Sequence, residues 1–381
     1  MKVVVAIDSL KGSLSSLEAG KVIQEGIYSV LPDAEVFVRP LADGGEGTME
    51  ALTFGLRGKF VQVEVKGPLG EAVNCRYGIV EEKKLAIVDI SGAVGITLVP
   101  EQARNPMNTT TYGVGEVIRD AIEKGCRHFI VGIGGSATND GGIGMLQALG
   151  FGMLNKEGKQ VSLGAKGLND LVTITDDKVL PELKECSFRV ACDVKNVLCG
   201  EQGCSAIFGP QKGATKDMIL QMDQWLAKYA VLTEKKFGTI NAKKEGTGAA
   251  GGLGFAFLGY MNSVLESGVQ IVLEETRLED YIAEADFVIT GEGRLDEQTI
   301  FGKAPIGVAA LAKKYQKKVL AFCGCVTEDA ILCNQYGIDA FFPILRGIQT
   351  KKEAMNCENT KKNMFAAVQQ VFRLIACINE K

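Results

Sequence analysis

From Gly132 to Gly142 the chain reads Gly-Ile-Gly-Gly-Ser-Ala-Thr-Asn-Asp-Gly-Gly, directly after the apolar run Phe129-Ile130-Val131. A buried strand that breaks into glycine, hydroxyl and amide residues is poor core material and good ligand material. Glycine lets a backbone turn tightly and lets a ligand approach its N–H groups. Gly134 and Gly135 supply that approach, Ser136, Thr138 and Asn139 add side-chain hydrogen-bonding groups, and Asp140 adds a charge able to hold a metal. The run Ile143 to Leu149 reads as a helix, so the loop is expected at a helix N-terminus, where anions bind.

The same design recurs along the chain. Asp8-Ser9-Leu10-Lys11-Gly12-Ser13 follows the apolar run Val3 to Ile7, and Ser15 with Glu18 forms a capping-box pattern for the next helix. Asp43-Gly44-Gly45-Glu46 follows Val36-Phe37-Val38. Its two carboxylates suit either a helix cap or Mg²⁺, which takes a few oxygen ligands and keeps several waters. Asp193 ends the run Phe188 to Cys192, Lys212 lies in Gly209-Pro210-Gln211-Lys212-Gly213, and Arg294 and Asp296 follow Thr290-Gly291-Glu292-Gly293. Lys303 precedes Pro305, a residue suited to a first helical turn. The chain has one histidine, His128, placed before the glycine loop. A multi-histidine zinc site is therefore ruled out within one chain, and acid–base work falls to Asp, Glu or Lys. No Gly-Lys pair is followed by Ser or Thr, so there is no P-loop. Gly132-x-Gly134-x-x-Ala137 has the form of a dinucleotide fingerprint, a pattern too short to decide alone.

These loops need strands and helices to aim them. The continuously apolar, β-branched run Val3 to Ile7 and the mainly apolar runs Leu85 to Ile90, Phe287 to Ile289 and Val319 to Cys323 suit strands covered on both faces of a parallel sheet. Helices are expected after Ser15, through Met49 to Phe54, at Val114 to Glu123, from the small-residue stretch Gly246 to Gly254, near Asp329 to Gln335 and from Lys361 to Cys377. Ligands in such sheets gather beyond the carboxyl ends of the strands.

Composition sets the class. At 381 residues the chain fits two domains, and a net charge of −4 with no Lys/Arg block argues against nucleic acid. Its opening residues read as a strand rather than a leader, and its most apolar stretch, Ala249 to Met261, is too short to span a bilayer. The 11 cysteines form no C-x-x-C pair and read as reduced thiols of a cytoplasmic protein, with Cys323 and Cys325 near a strand end the ones with scope for reactivity.

Both ends of the chain alternate β and α simply, and the middle has longer loops. The expected fold is α/β with two α/β domains. One is a doubly wound, Rossmann/flavodoxin-like parallel-sheet domain from residues 1–66 plus 280–381. The second is inserted as 67–279 after the punctuation Lys66-Gly67-Pro68, with the active site expected in the cleft between them.

The loops quoted above, with Ala191-Cys192-Asp193-Val194, Phe208-Gly209-Pro210-Gln211-Lys212-Gly213-Ala214 and Gly248-Ala249-Ala250-Gly251-Gly252-Leu253-Gly254, closely resemble the type-1 glycerate kinases, in order from residue 1 to about 345. Small departures are Ile7 and Leu10, where Pro and Phe are usual, Lys195, and the cysteines at 323 and 325. The resemblance implies ATP-dependent phosphorylation of glycerate to 2-phosphoglycerate with Mg²⁺, the 3-phosphorylated product being the alternative. Phosphoryl transfer is mainly positioning and charge stabilisation, which needs no histidine. On that resemblance Asp193 or Asp296 orients the hydroxyl and takes its proton, with Lys11 as a further catalytic group. Arg294, Ser9, Ser13 and Asn139 bind substrate. Gly134, Gly135, Ser136, Thr138, Lys212 and Lys303 bind nucleotide, and Asp43, Glu46 and Asp140 hold the metal. Partners are then glycerate and ATP, with neither nucleic acid nor membrane, and a homodimer is compatible. Competing classes are a nicotinamide-dependent oxidoreductase and a metabolite-binding protein without turnover.

Overall fold

The apolar run that opens the chain forms an inner strand, Lys2–Val5, of a five-stranded parallel sheet. In this computed structural model, which describes residues 1–45, 47–238 and 241–379, the sheet runs Ala340–Pro343, Lys318–Cys323, Phe287–Thr290, Lys2–Val5, Glu35–Val38. In chain order that is 5-4-3-1-2, the flavodoxin-like winding, whose order reverses between Lys2–Val5 and Phe287–Thr290. Both faces are covered, as the unbroken apolar strands require. Val3, Val5 and Ile7 pack with the helices Ser16–Tyr28 and Cys357–Asn379, and Val4 is buried on the other side. Ser15 and Glu18 form the expected capping box. This sheet and its helices make one compact unit from Met1–Asp43, Phe54–Leu56 and Val269–Lys381.

Gly44–Thr53 and Arg57–Gly268 form a second unit. Its six-stranded sheet runs Ser263–Glu266, Ser187–Ala191, His128–Gly132, Leu85–Asp89, Ala72–Val80, Lys59–Lys66. The first four strands are parallel and the last two join antiparallel. Stacked Phe129 and Phe188, with ring centres 4.7 Å apart, anchor the core.

The boundaries differ from the sequence expectation: residues 44–53 and 57–66 join the second unit, and residues 269–279 join the first. Lys66-Gly67-Pro68 lies inside the second unit, because Lys59–Lys66 pairs along its whole length with Ala72–Val80. Gly67 to Gly70 is the hairpin turn between them, closed by Gly67 N–H donating to Glu71 O at 2.6 Å. Pro/Gly punctuation marks a hairpin turn as readily as a domain crossing. Among the described residues no helix is long and apolar enough to cross a membrane.

Candidate functional site

In the first unit the polar residues gather where the strand order reverses. The ladder extends past Lys2–Val5 through Ala6 N–H to Ile289 O and Asp8 N–H to Gly291 O, at 2.7 and 3.0 Å. Leu41 N–H donates to Ile7 O on the other side, so the segment leading to Asp43 leaves the sheet beside Asp8. Gly291 has φ +152°, and a Cβ there would collide with the Phe322 carbonyl. Glycine is thus what lets this strand end turn towards Glu292.

Asp8 is 6% exposed, and among the described residues its carboxylate accepts one hydrogen bond, from Ser9 N–H at 2.7 Å. Burial first, then the Asp43 charge, push its pKa up to about 7, against the pull of Ser9 and Lys11. Lys11 Nζ reaches Asp43 at 3.3 Å. Its pKa is raised: burial works against the charge, but Asp43 and Asp8 outweigh it. Glu292 is buried, accepts from Thr299 Oγ1 at 2.6 Å and faces Lys303 Nζ at 3.4 Å. Burial raises its pKa despite both partners. Asp296 caps the turn Glu297–Phe301 through Gln298 N–H, and its oxygens also meet Arg294 at 3.4 Å and Lys303 at 3.5 Å. The Arg294 side chain is 64% exposed and keeps donors for a ligand. Ser13 is tied to Thr360 of the last helix, at 2.5 Å between hydroxyl oxygens, which makes it an anchor of the loop.

In the second unit the glycine loop is an exposed arc over a buried polar base. Gly135 is exposed, and Ser136 to Gly142 are buried. Lys212, 3% exposed, passes beneath and donates to Ser136 Oγ at 2.9 Å and to Thr138 O at 2.6 Å. Burial pushes its pKa down to about 8. Asn139 is interior and donates to Ser205 Oγ at 2.8 Å.

Asp140 has a different place from the metal ligand expected. Its carboxylate is fully buried and accepts from Thr111 N–H and Oγ1, Gly142 N–H and Gly144 N–H, at 2.9, 2.9, 3.1 and 3.4 Å. It shapes the loop. It also occupies amides at the start of the helix Ile143–Ala148, where the sequence placed an anion, and that helix has only 6 residues. The dinucleotide reading of Gly132-x-Gly134-x-x-Ala137 loses its pyrophosphate seat for the same reason.

Asp43 is paired with Lys11, and Glu46 lies outside the described residues. Among the described residues no three Asp, Glu, Cys or His side chains converge on a metal site. The helix Thr48–Gly55 takes its cap from Asp89, whose Oδ2 accepts from Gly47 and Met49 N–H at 3.0 and 3.1 Å. Asp89 ends a strand just as Asp8 and Asp193 do, a signal the sequence carried. Asp193 is exposed and accepts from Gly268 N–H at 3.2 Å. The Cys323 thiol is buried and pushed up to about 12, which makes it a packing group rather than a reactive one.

Comparison with known proteins gives the family. Residues 3–376 match the model of the glycerate kinase family. A glycerate kinase of Haemophilus influenzae is 45% identical over 376 residues, covering 99% of both chains. A glycerate 2-kinase of Escherichia coli K12 is 46% identical over 93% of each. The crystal structure of a putative glycerate kinase 2 from Salmonella typhimurium LT2 superposes with a TM-score of 0.91 at 42% identity over 100% of both chains. The chain belongs to the glycerate kinase family, and so is an ATP-dependent phosphotransferase.

Proposed function

We propose that this enzyme transfers the γ-phosphoryl group of ATP to the 2-hydroxyl of glycerate, giving 2-phosphoglycerate and ADP, in the cytoplasm. The observation that carries the reading is the group of Asp8, Lys11, Glu292 and Arg294 at the reversal point of the parallel sheet, where such folds bind ligands. The 2-position is supported by the Escherichia coli relative, which is named for it. Arg294 suits the glycerate carboxylate, which a guanidinium binds through two parallel hydrogen bonds. Lys11 suits a phosphoryl oxygen as a compact, mobile charge. Gly134 and Gly135 offer backbone to the nucleotide phosphates, and Lys212 holds that arc in shape from below.

Of the carboxylates expected to hold a metal, Asp43 pairs with Lys11, Asp140 is taken up by four donors, and Glu46 lies outside the described residues. Mg²⁺ would enter on the nucleotide, held chiefly by phosphate oxygens and water, and would offset phosphate charge there. Incubation with ATP, Mg²⁺ and glycerate, followed by phosphorus NMR, tests the assignment. A 2-phosphoglycerate signal is expected. The 3-isomer alone would reassign the enzyme as a 3-kinase, and no ADP would refute both.

A further inference from the structure

Phosphoryl transfer to an alcohol releases a proton, and a carboxylate near the hydroxyl is the natural acceptor. The sequence pointed to Asp193 or Asp296. Asp296 spends its oxygens on Gln298 N–H, Arg294 and Lys303, which suits it to holding that loop. Asp193 lies at the surface of the second unit, tied to Gly268. Asp8 is placed otherwise. It ends an inner strand at the reversal point, fixed by its own N–H to Gly291 O, and its carboxylate is buried with one donor upon it.

Resting on the glycerate kinase reading, we infer that Asp8 is the catalytic base, held beside Lys11 and facing the acceptor hydroxyl. The charged groups around it are Asp43, Lys11 and Glu292, two acids and one cation. Burial first, and then these charges, bring the carboxyl to about pH 7, where an acceptor is half ionised yet strong enough to take a proton. As the glycerate oxygen bonds to the γ-phosphorus, its proton passes to Asp8. The bond from that phosphorus to the bridging oxygen breaks, and its electron pair leaves with ADP. Asp8 then releases the proton to water.

The test compares wild type, Asp8→Asn, Asp193→Asn and Asp296→Asn, reading kcat, both KM values and the pH profile. For Asp8→Asn we expect kcat to fall roughly a hundred- to ten-thousand-fold, with KM for ATP and glycerate within a few-fold. Wild-type kcat/KM should decline below about pH 7, and that decline should persist in Asp193→Asn and Asp296→Asn. An Asp8→Asn enzyme within threefold of wild type would overturn the inference. So would loss of the acid decline in either other variant, a readout that holds even where Asp8→Asn does not fold. A wild-type enzyme that makes no ADP from glycerate would refute the functional reading, and this inference with it.

Discussion

Asp8 shows how one residue trades stability for chemistry. Its folded pKa, about 7, lies above the ordinary 3.8, so between those values the folded chain keeps a proton that the unfolded chain has lost. Stability therefore falls as pH rises through that window and levels off above about 7. Asparagine keeps the size and the oxygen facing Ser9 N–H and removes the charge. Asp8→Asn should thus melt higher than wild type at pH 8, with a smaller gain at pH 5, while losing turnover. Paired thermal melts decide it, and a gain independent of pH would mean that this carboxyl is not shifted. The sequence showed Asp8 as a strand-end carboxylate but could not rank it above Asp193 or Asp296. That ranking depends on burial and on Asp43 and Glu292, which only folding brings alongside.

At the scale of elements, the glycine loop depends on a second loop that the sequence read as the plain start of a small-residue helix. Ala250, Gly251 and Gly252 instead have φ of 50°, 67° and 94°, and the regular turns begin at Leu253. This left-handed stretch braces the loop from behind, with Gly251 O accepting from Gly141 N–H at 2.9 Å. A Cβ on Gly251 would strike the Thr138 carbonyl and come within 2.5 Å of Asn139 Cα, in a region that already costs an L-residue about 1–2 kcal/mol. Gly251→Ala should lower stability by at least about 2 kcal/mol, backbone strain and collision together. Ala250→Gly should be neutral or stabilising, since it relieves the same strain. Urea denaturation of both variants checks this, and a harmless Gly251→Ala would show that the two loops do not brace each other. Asp140 teaches a related point. Four donors converge on it from Thr111 and the loop's own turn, so a residue that looked like a ligand is an organiser.

For the molecule as a whole, the parallel strands and their helices were legible because burial on both faces writes unbroken apolar runs. The strand Lys59–Lys66 shows in the alternation Val61-Gln62-Val63-Glu64-Val65, but its antiparallel partner Ala72–Val80 was hidden, because the turn between them resembled a linker. Also legible was that the two ends of the chain meet in one unit, and this has a consequence for stability. The last helix, Cys357–Asn379, covers the same sheet face as Ser16–Tyr28 and comes close enough that a Cβ on Gly26 would lie 2.9 Å from Val368 Cγ1. It buries Met364, Val368 and Phe372 completely. At roughly 1.5–3 kcal/mol for each buried side chain, removing them forfeits about 5–9 kcal/mol. Whole domains have only about 5–15 kcal/mol to lose. A chain ending at Asn356 should therefore lose the fold of the first unit, and with it Asp8, Lys11 and Glu292 as an assembled site. The second unit has its own core around Phe129, Phe188 and Phe257, to which the deleted helix contributes nothing. Hydrogen exchange read by mass spectrometry should find Lys2–Val5 and Phe287–Thr290 exchanging freely in the truncated chain, with Leu85–Asp89, His128–Gly132 and Ser187–Ala191 still protected. Simultaneous loss of protection in both sets would show that the two units fold as one cooperative body, and intact protection in both would show that the C-terminal helix is dispensable.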